Sequence, residues 1–130
     1  MPWVEIFTVF AVCHLTGDFA LQTEWQAQNK RGGLGPDPMA RRALATHVAT
    51  YTLAFVPAFV WLWDPLGAGV FAVAAVIAGT HLVQDDGRLI DVYLTRVKHA
   101  TSDVRPLVAV AVDQTFHALL LFAVALVAGA

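Results

Sequence analysis

His14-Leu15-Thr16-Gly17-Asp18-Phe19-Ala20-Leu21-Gln22 places an imidazole and a carboxylate four residues apart near the end of a segment otherwise fit for lipid. On a helix that spacing stacks the two side chains on one face. Ionisable groups inside membrane segments are costly and tend to mark function, so the reading turns on what holds these two in place.

The surrounding composition sets the class. The chain has 130 residues, 58% hydrophobic and 14% charged, with a mean hydropathy of +0.62, whereas a soluble domain is about half apolar and roughly a quarter charged. Residues 1–130 therefore read as one integral membrane domain. The single cysteine, Cys13, excludes an internal disulfide and a multi-cysteine zinc site and is read as a small packing residue.

Four apolar segments, at about residues 2–19, 43–63, 66–83 and 107–130, each have the length to span a hydrocarbon core of ~30 Å. The expected fold is all-α: an antiparallel four-helix transmembrane bundle. A cleaved signal peptide fits the first segment poorly, since Glu5 is its only charge before His14 and no basic stretch precedes it. Small residues Ala68, Ala72, Ala75 and Gly79 recur at helical spacing and suggest close approach between spans. Pro57 is expected to kink the second span.

All eight basic residues, Lys30, Arg31, Arg41, Arg42, Arg88, Arg96, Lys98 and Arg105, fall in the first and third connections. The positive-inside rule puts both loops in the cytoplasm, with both termini and a tight Asp64-Pro65 turn outside. Trp3, Trp61 and Trp63 then fall at the outer interface, and Trp25 at the inner one. Gly32 to Pro38 lacks the Gly-Lys-Ser/Thr ending of a phosphate loop and reads as a flexible linker. Between Asp86 and His99, apolar Leu89, Ile90, Tyr93, Leu94 and Val97 alternate with charge, as in a short amphipathic helix on the inner membrane surface. His99 at its end reads as a surface histidine.

The third segment ends His81-Leu82-Val83-Gln84-Asp85, repeating the spacing of His14 and Asp18, and the fourth reverses it in Asp113-Gln114-Thr115-Phe116-His117. His47 lies near the inner start of the second. Counted from the outer ends at ~1.5 Å per residue, His14, His81, His47 and His117 lie at depths of ~18, ~22, ~24 and ~20 Å, one layer in the cytoplasmic half. His14, Asp18, His47, His81, Asp85, Asp113 and His117 are thus candidate ligands for one or two divalent ions, with Zn, Mn and Fe suited to imidazole and carboxylate. Asp18 and Asp85 sit near helix C-termini, where the dipole disfavours a carboxylate and a cation would reverse the penalty. The competing reading is that Asp and His simply pair by hydrogen bonds across the bundle.

With these residues in place, the chain resembles the DUF3307 family of small bacterial and phage integral membrane proteins. The likeness rests on His14-Leu15-Thr16-Gly17-Asp18-Phe19-Ala20-Leu21-Gln22 with Lys30, on His47 and Tyr51, on His81 with Asp85, and on Asp113-Gln114 with His117. The pattern is also distantly similar to membrane-bound metal-dependent hydrolases.

These features lead to a metal-dependent hydrolase acting at the cytoplasmic membrane interface on a lipid-like or phosphorylated substrate. Asp18 or Asp85 would take a proton from an activated water, and Lys30, Arg41, Arg42 and Arg105 would hold an anionic head group. The alternatives are an ion or proton transport component, and a non-catalytic membrane interaction protein. Nucleic-acid binding is not expected, because the basic residues are few and lack an aromatic stacking platform.

Overall fold

A computed structural model describes residues 1–130, which are all-helical. Helix α1 (Trp3–Leu15) runs into a π-helical turn at Thr16–Ala20, closed by the Leu21 N–H donating to the Thr16 carbonyl five residues back at 2.9 Å. After it come α2 (Glu24–Asn29), α3 (Pro38–Ala54), α4 (Val56–Leu66), α5 (Gly69–Asp85), α6 (Arg88–Arg96) and α7 (Arg105–Ala128).

Local chemistry accounts for most boundaries. Thr23 and Gln26 form a reciprocal capping box at the start of α2, so the amide-rich stretch that the sequence places along the interface holds a short helix. Asp37 caps α3 by accepting the Met39 N–H at 2.9 Å, with Pro38 in the first turn, where its missing N–H costs nothing. Pro57 cannot donate to the Leu53 carbonyl, and α3 and α4 meet at a bend of 55°. The expected second span is therefore two helices in angled succession.

Three expectations need correction. Asp64-Pro65 is not the turn: both residues lie inside α4, and the chain reverses at Gly67, whose φ of 51° few side-chain-bearing residues adopt. Pro65 has a helix-compatible φ and falls in the last turn, so it leaves the helix intact. Ala68, Ala72, Ala75 and Gly79 do not face another helix. All four are exposed, while Val70, Ile77, His81 and Asp85 form the buried side of α5. Finally, the Gly32–Pro38 linker is docked: Gly33 is buried, and a Cβ there would stand 2.5 Å from Leu44 Cβ and 2.7 Å from the Ala40 carbonyl oxygen.

Two stretches are long and apolar enough to cross a membrane, Trp3–Ala20 and Arg105–Ala128, and the bent pair Pro38–Ala54 with Val56–Leu66 would make a third. Helix α5 is apolar but has only 17 residues. Packing places α1 along α7 and α3 along α5. At one end Ile6, Phe10, Phe55, Ala58, Leu62, Val70, Ile77, Leu121 and Ala125 fill a dry core. Beyond that core, toward the loops that carry α2 and α6, the buried side chains turn polar.

Candidate metal centre

Gly17 explains how the opening motif reaches the interior. A Cβ on it would lie 2.6 Å from the Tyr51 ring and 3.2 Å from the Tyr51 Cα, so the π-helical turn presses backbone to backbone against α3. That approach drives Asp18 between α3 and α5. His47 and Tyr51, one turn apart on α3, and His81 and Asp85, one turn apart on α5, face it there, all buried.

The resulting distances are short and mutually consistent. His47 Nε2 lies 3.0 Å from His81 Nε2, 3.2 Å from Asp18 Oδ1 and 2.8 Å from Asp85 Oδ2. His81 Nε2 lies 3.3 Å from Asp18 Oδ1 and 3.2 Å from Asp85 Oδ2. Ligand atoms about a tetrahedral ion with bonds of about 2.0–2.1 Å stand roughly 3.3 Å apart. Asp18, His47, His81 and Asp85 can therefore hold one metal ion, each supplying one atom. A second group, Asp85, Asp113 and His117, shares Asp85 with the first.

Hydrogen bonding alone leaves this arrangement poorly satisfied. Two Nε2 atoms at 3.0 Å can share only one proton between them. Asp18 Oδ1, His47 Nδ1, His81 Nδ1 and His117 Nε2 are buried with no hydrogen-bond partner, a costly state for polar atoms. Asp18, Asp85 and Asp113 carry three formal negative charges against one nearby ammonium, Lys30. The charge left over is negative and favours a bound cation.

His14 is placed differently. Its Nδ1 pairs with the Tyr51 hydroxyl at 3.0 Å and its Nε2 with Gln114 Oε1 at 2.9 Å, so both ring nitrogens are engaged. Gln114 Nε2 in turn donates to Asp18 Oδ2 at 3.4 Å. His14 thus stands behind Asp18, with its Nε2 3.7 Å from Asp18 Oδ2. His117 Nδ1 donates to the Asp113 backbone carbonyl at 2.7 Å, which turns the bare Nε2 toward Asp85 Oδ1 at 3.2 Å. The Tyr51 ring lies flat on the His81 ring, with centroids 3.4 Å apart and planes within 5°.

A match to a family model covers residues 6–130; its description is "Protein of unknown function (DUF3307)". The chain belongs to the DUF3307 family. No curated protein and no solved structure matches it significantly. In this DUF3307 chain every polar residue of the opening motif is used. Gln22 donates to the Asp18 carbonyl at 3.2 Å and accepts from Lys30 Nζ at 2.5 Å, and Lys30 also donates to Asp85 Oδ2 at 2.5 Å.

The four basic residues expected at a head group do not gather. Only Lys30 touches the cluster. Arg41 donates to the Gly35 carbonyl at 2.6 Å, Arg42 lies over the Trp25 ring at 5.8 Å, and Arg105 pairs with Asp91 at 3.4 Å. The sequence reading missed Arg31, which joins Lys30, Gln84, Asp85 and Asp113 in lining a cleft of about 210 Å³ beside the cluster. It also missed the bridging role of Gln114 and the corner made by Asp86. Asp86 Oδ1 accepts the Leu34 N–H at 2.8 Å, its carboxylate pairs with Arg88, and its carbonyl accepts the Gly32 N–H at 2.9 Å. No spacing rule flags a residue that acts as a bracket between loops.

Proposed function

We propose that this chain is a four-span membrane protein that binds a divalent metal and acts as a hydrolase at the cytoplasmic interface, on a lipid-like or phosphorylated substrate. The observation that carries the metal is the convergence of His47, His81, Asp18 and Asp85 with five ligand-to-ligand distances between 2.8 and 3.3 Å. A divalent ion held by this cluster or by the adjoining Asp85, Asp113 and His117 group would supply Lewis-acid polarisation of an oxygen and lower the pKa of a bound water.

The residues around it divide the remaining work. Asp18 turns Oδ1 to the histidines and leaves Oδ2, positioned by Gln114, as the oxygen able to hold a proton. Asp85, the other proton acceptor considered from the sequence, is better suited to a ligand role, since both its oxygens face imidazoles. Lys30 and Arg31 on the cleft wall suit a substrate carrying a phosphate or similar anion.

Membrane placement draws on the surface. Val60, Phe71, Leu107 and Val127 are 68–81% exposed, while four histidines and three aspartates are buried. A soluble domain would reverse that distribution. The apolar core closing the end opposite the cluster gives an ion no polar path through the bundle, which favours interfacial catalysis over transport.

The test is elemental analysis of protein extracted in detergent, reconstituted with Zn²⁺, Mn²⁺ or Fe²⁺ and freed of excess metal, alongside hydrolysis of lipid phosphates in mixed micelles. At least one equivalent of metal, lost in His47→Gln, and release of phosphate are expected. Less than one tenth of an equivalent in the wild-type protein would overturn the metal reading.

A further inference from the structure

We infer that Asp85 bridges two cation positions of different character, one closed and one open to the cleft, and that the open one receives the substrate's anionic oxygen. This rests on the metal reading above and extends it to a second ion.

The asymmetry is visible in the donors. The first position has four protein ligand groups, Asp18, His47, His81 and Asp85, all buried. Four protein ligands close a tetrahedral shell, the pattern of a structural site; three leave a position free, the pattern of a catalytic one. The second position has three, Asp85, Asp113 and His117.

Three independent features mark this second group as more than an acidic pair. His117 is 2% exposed, and its Nε2 has no hydrogen-bond partner although it is turned toward Asp85 Oδ1 at 3.2 Å. Its other ring nitrogen is fixed as a donor by the Asp113 carbonyl, so Nε2 is the nitrogen left to meet the carboxylate or an ion. The two Asp85 oxygens are already divided: Oδ2 faces His47 and His81, and Oδ1 faces His117.

Access separates the two positions. The Asp113 side chain is 28% exposed, and Asp113 and Asp85 both line the cleft with Lys30 and Arg31. An anionic oxygen arriving through that cleft reaches the three-ligand position first and meets two basic side chains on the way. Asp18 and His47 lie on the far side of Asp85 and do not line the cleft. The substrate class that fits is a compact anion on an apolar tail, with the head in the cleft.

Metal stoichiometry and spin coupling test this without any activity. Detergent-purified wild-type protein titrated with Mn²⁺ should bind two equivalents in two steps and give the exchange-broadened EPR spectrum of a coupled pair. Asp113→Asn and His117→Gln should each retain one equivalent and show the six-line spectrum of an isolated ion. Inorganic phosphate should perturb the wild-type spectrum and leave that of Asp113→Asn unchanged. A wild-type protein binding a single equivalent overturns the second position while leaving the metal reading intact; one binding none overturns both. Two equivalents in Asp113→Asn and His117→Gln alike, or none in either, overturn the assignment of ligands. Circular dichroism of Asp113→Asn, at a half-buried position, confirms that a lost equivalent is not lost folding.

Discussion

Lys30 is the one full positive charge already inside the cluster, and it competes for the same carboxylate oxygen as the proposed ion. Its Nζ lies 2.5 Å from Asp85 Oδ2, the oxygen that also faces His47 and His81. Like charges at such separations repel by several kcal/mol even at an effective dielectric constant of about 20. Lys30→Gln should therefore tighten divalent-metal binding about tenfold or more, roughly 1.4 kcal/mol, as read by competition against a chromophoric chelator. Affinity that falls instead would mean that the ammonium chiefly holds Gln22 and Asp85 in place. The same residue shows how far the sequence could be read. Lys30 is easily seen as basic and near the interface, but its partner lies 55 positions away on α5. Likewise His14 and Asp18 share a face, as their spacing implies, yet only Asp18 reaches His47 and His81, because Tyr51 and Gln114 occupy both nitrogens of His14, whose ring stacks instead on His117 with centroids 5.2 Å apart.

Among elements, the junction of α1 with α3 depends on one absent methyl group. At Gly17 an added Cβ meets the Tyr51 ring at 2.6 Å and backbone at 3.2 Å, whereas at Gly79 on α5 it meets nothing within 4 Å. Gly17→Ala should destabilise the fold by about 1–3 kcal/mol through overpacking and loosen metal binding by shifting Asp18. Gly79→Ala should be neutral or stabilising by up to about 1 kcal/mol, since alanine is the better helix former. Thermal unfolding of both variants in the same detergent separates the two, and an equal loss would refute the packing argument. Period and capping chemistry made the helices legible; which face of each is buried was not, because large apolar side chains cover exposed and buried faces alike. That is why the Ala68–Gly79 stripe pointed the wrong way.

The corner between α5 and α6 carries its own pH dependence. Hydrogen bonds from Arg88, with help from the Leu34 N–H, hold the Asp86 carboxyl below its ordinary value, against a smaller opposing effect of burial. A folded value below the unfolded one means a contribution fully present above the unfolded pKa of about 3.9 and lost as pH falls toward the folded value. The stability difference between wild type and Asp86→Asn should accordingly be constant from pH 6 to pH 8 and shrink below about pH 4. Chemical denaturation at fixed pH values measures it, and a difference that grew on acidification would reverse the sign of the proposed linkage.

For the whole molecule, the polar cluster and the proposed membrane orientation must agree. The cluster lies at the end of the bundle that carries α2, α6 and all eight basic residues, and the apolar core seals the other. If the basic loops face the cytoplasm, then the cleft beside Lys30 and Asp113 opens there, and the proposed substrate is reached from the inner leaflet. Cys13 is the sole cysteine and is buried, so replacing it with alanine gives a background in which single cysteines report sidedness. Cysteines at Asp37 and His99, both exposed, should resist a membrane-impermeant maleimide in intact spheroplasts and react after lysis. Cysteines at Asp64 and Ala130 should react in both. The opposite pattern would place the cleft on the outer face. Labelling of the Asp64 and His99 cysteines but not of those at Asp37 and Ala130 in intact spheroplasts would contradict a four-span arrangement, leaving α5, at 17 residues, as the helix whose crossing must be given up.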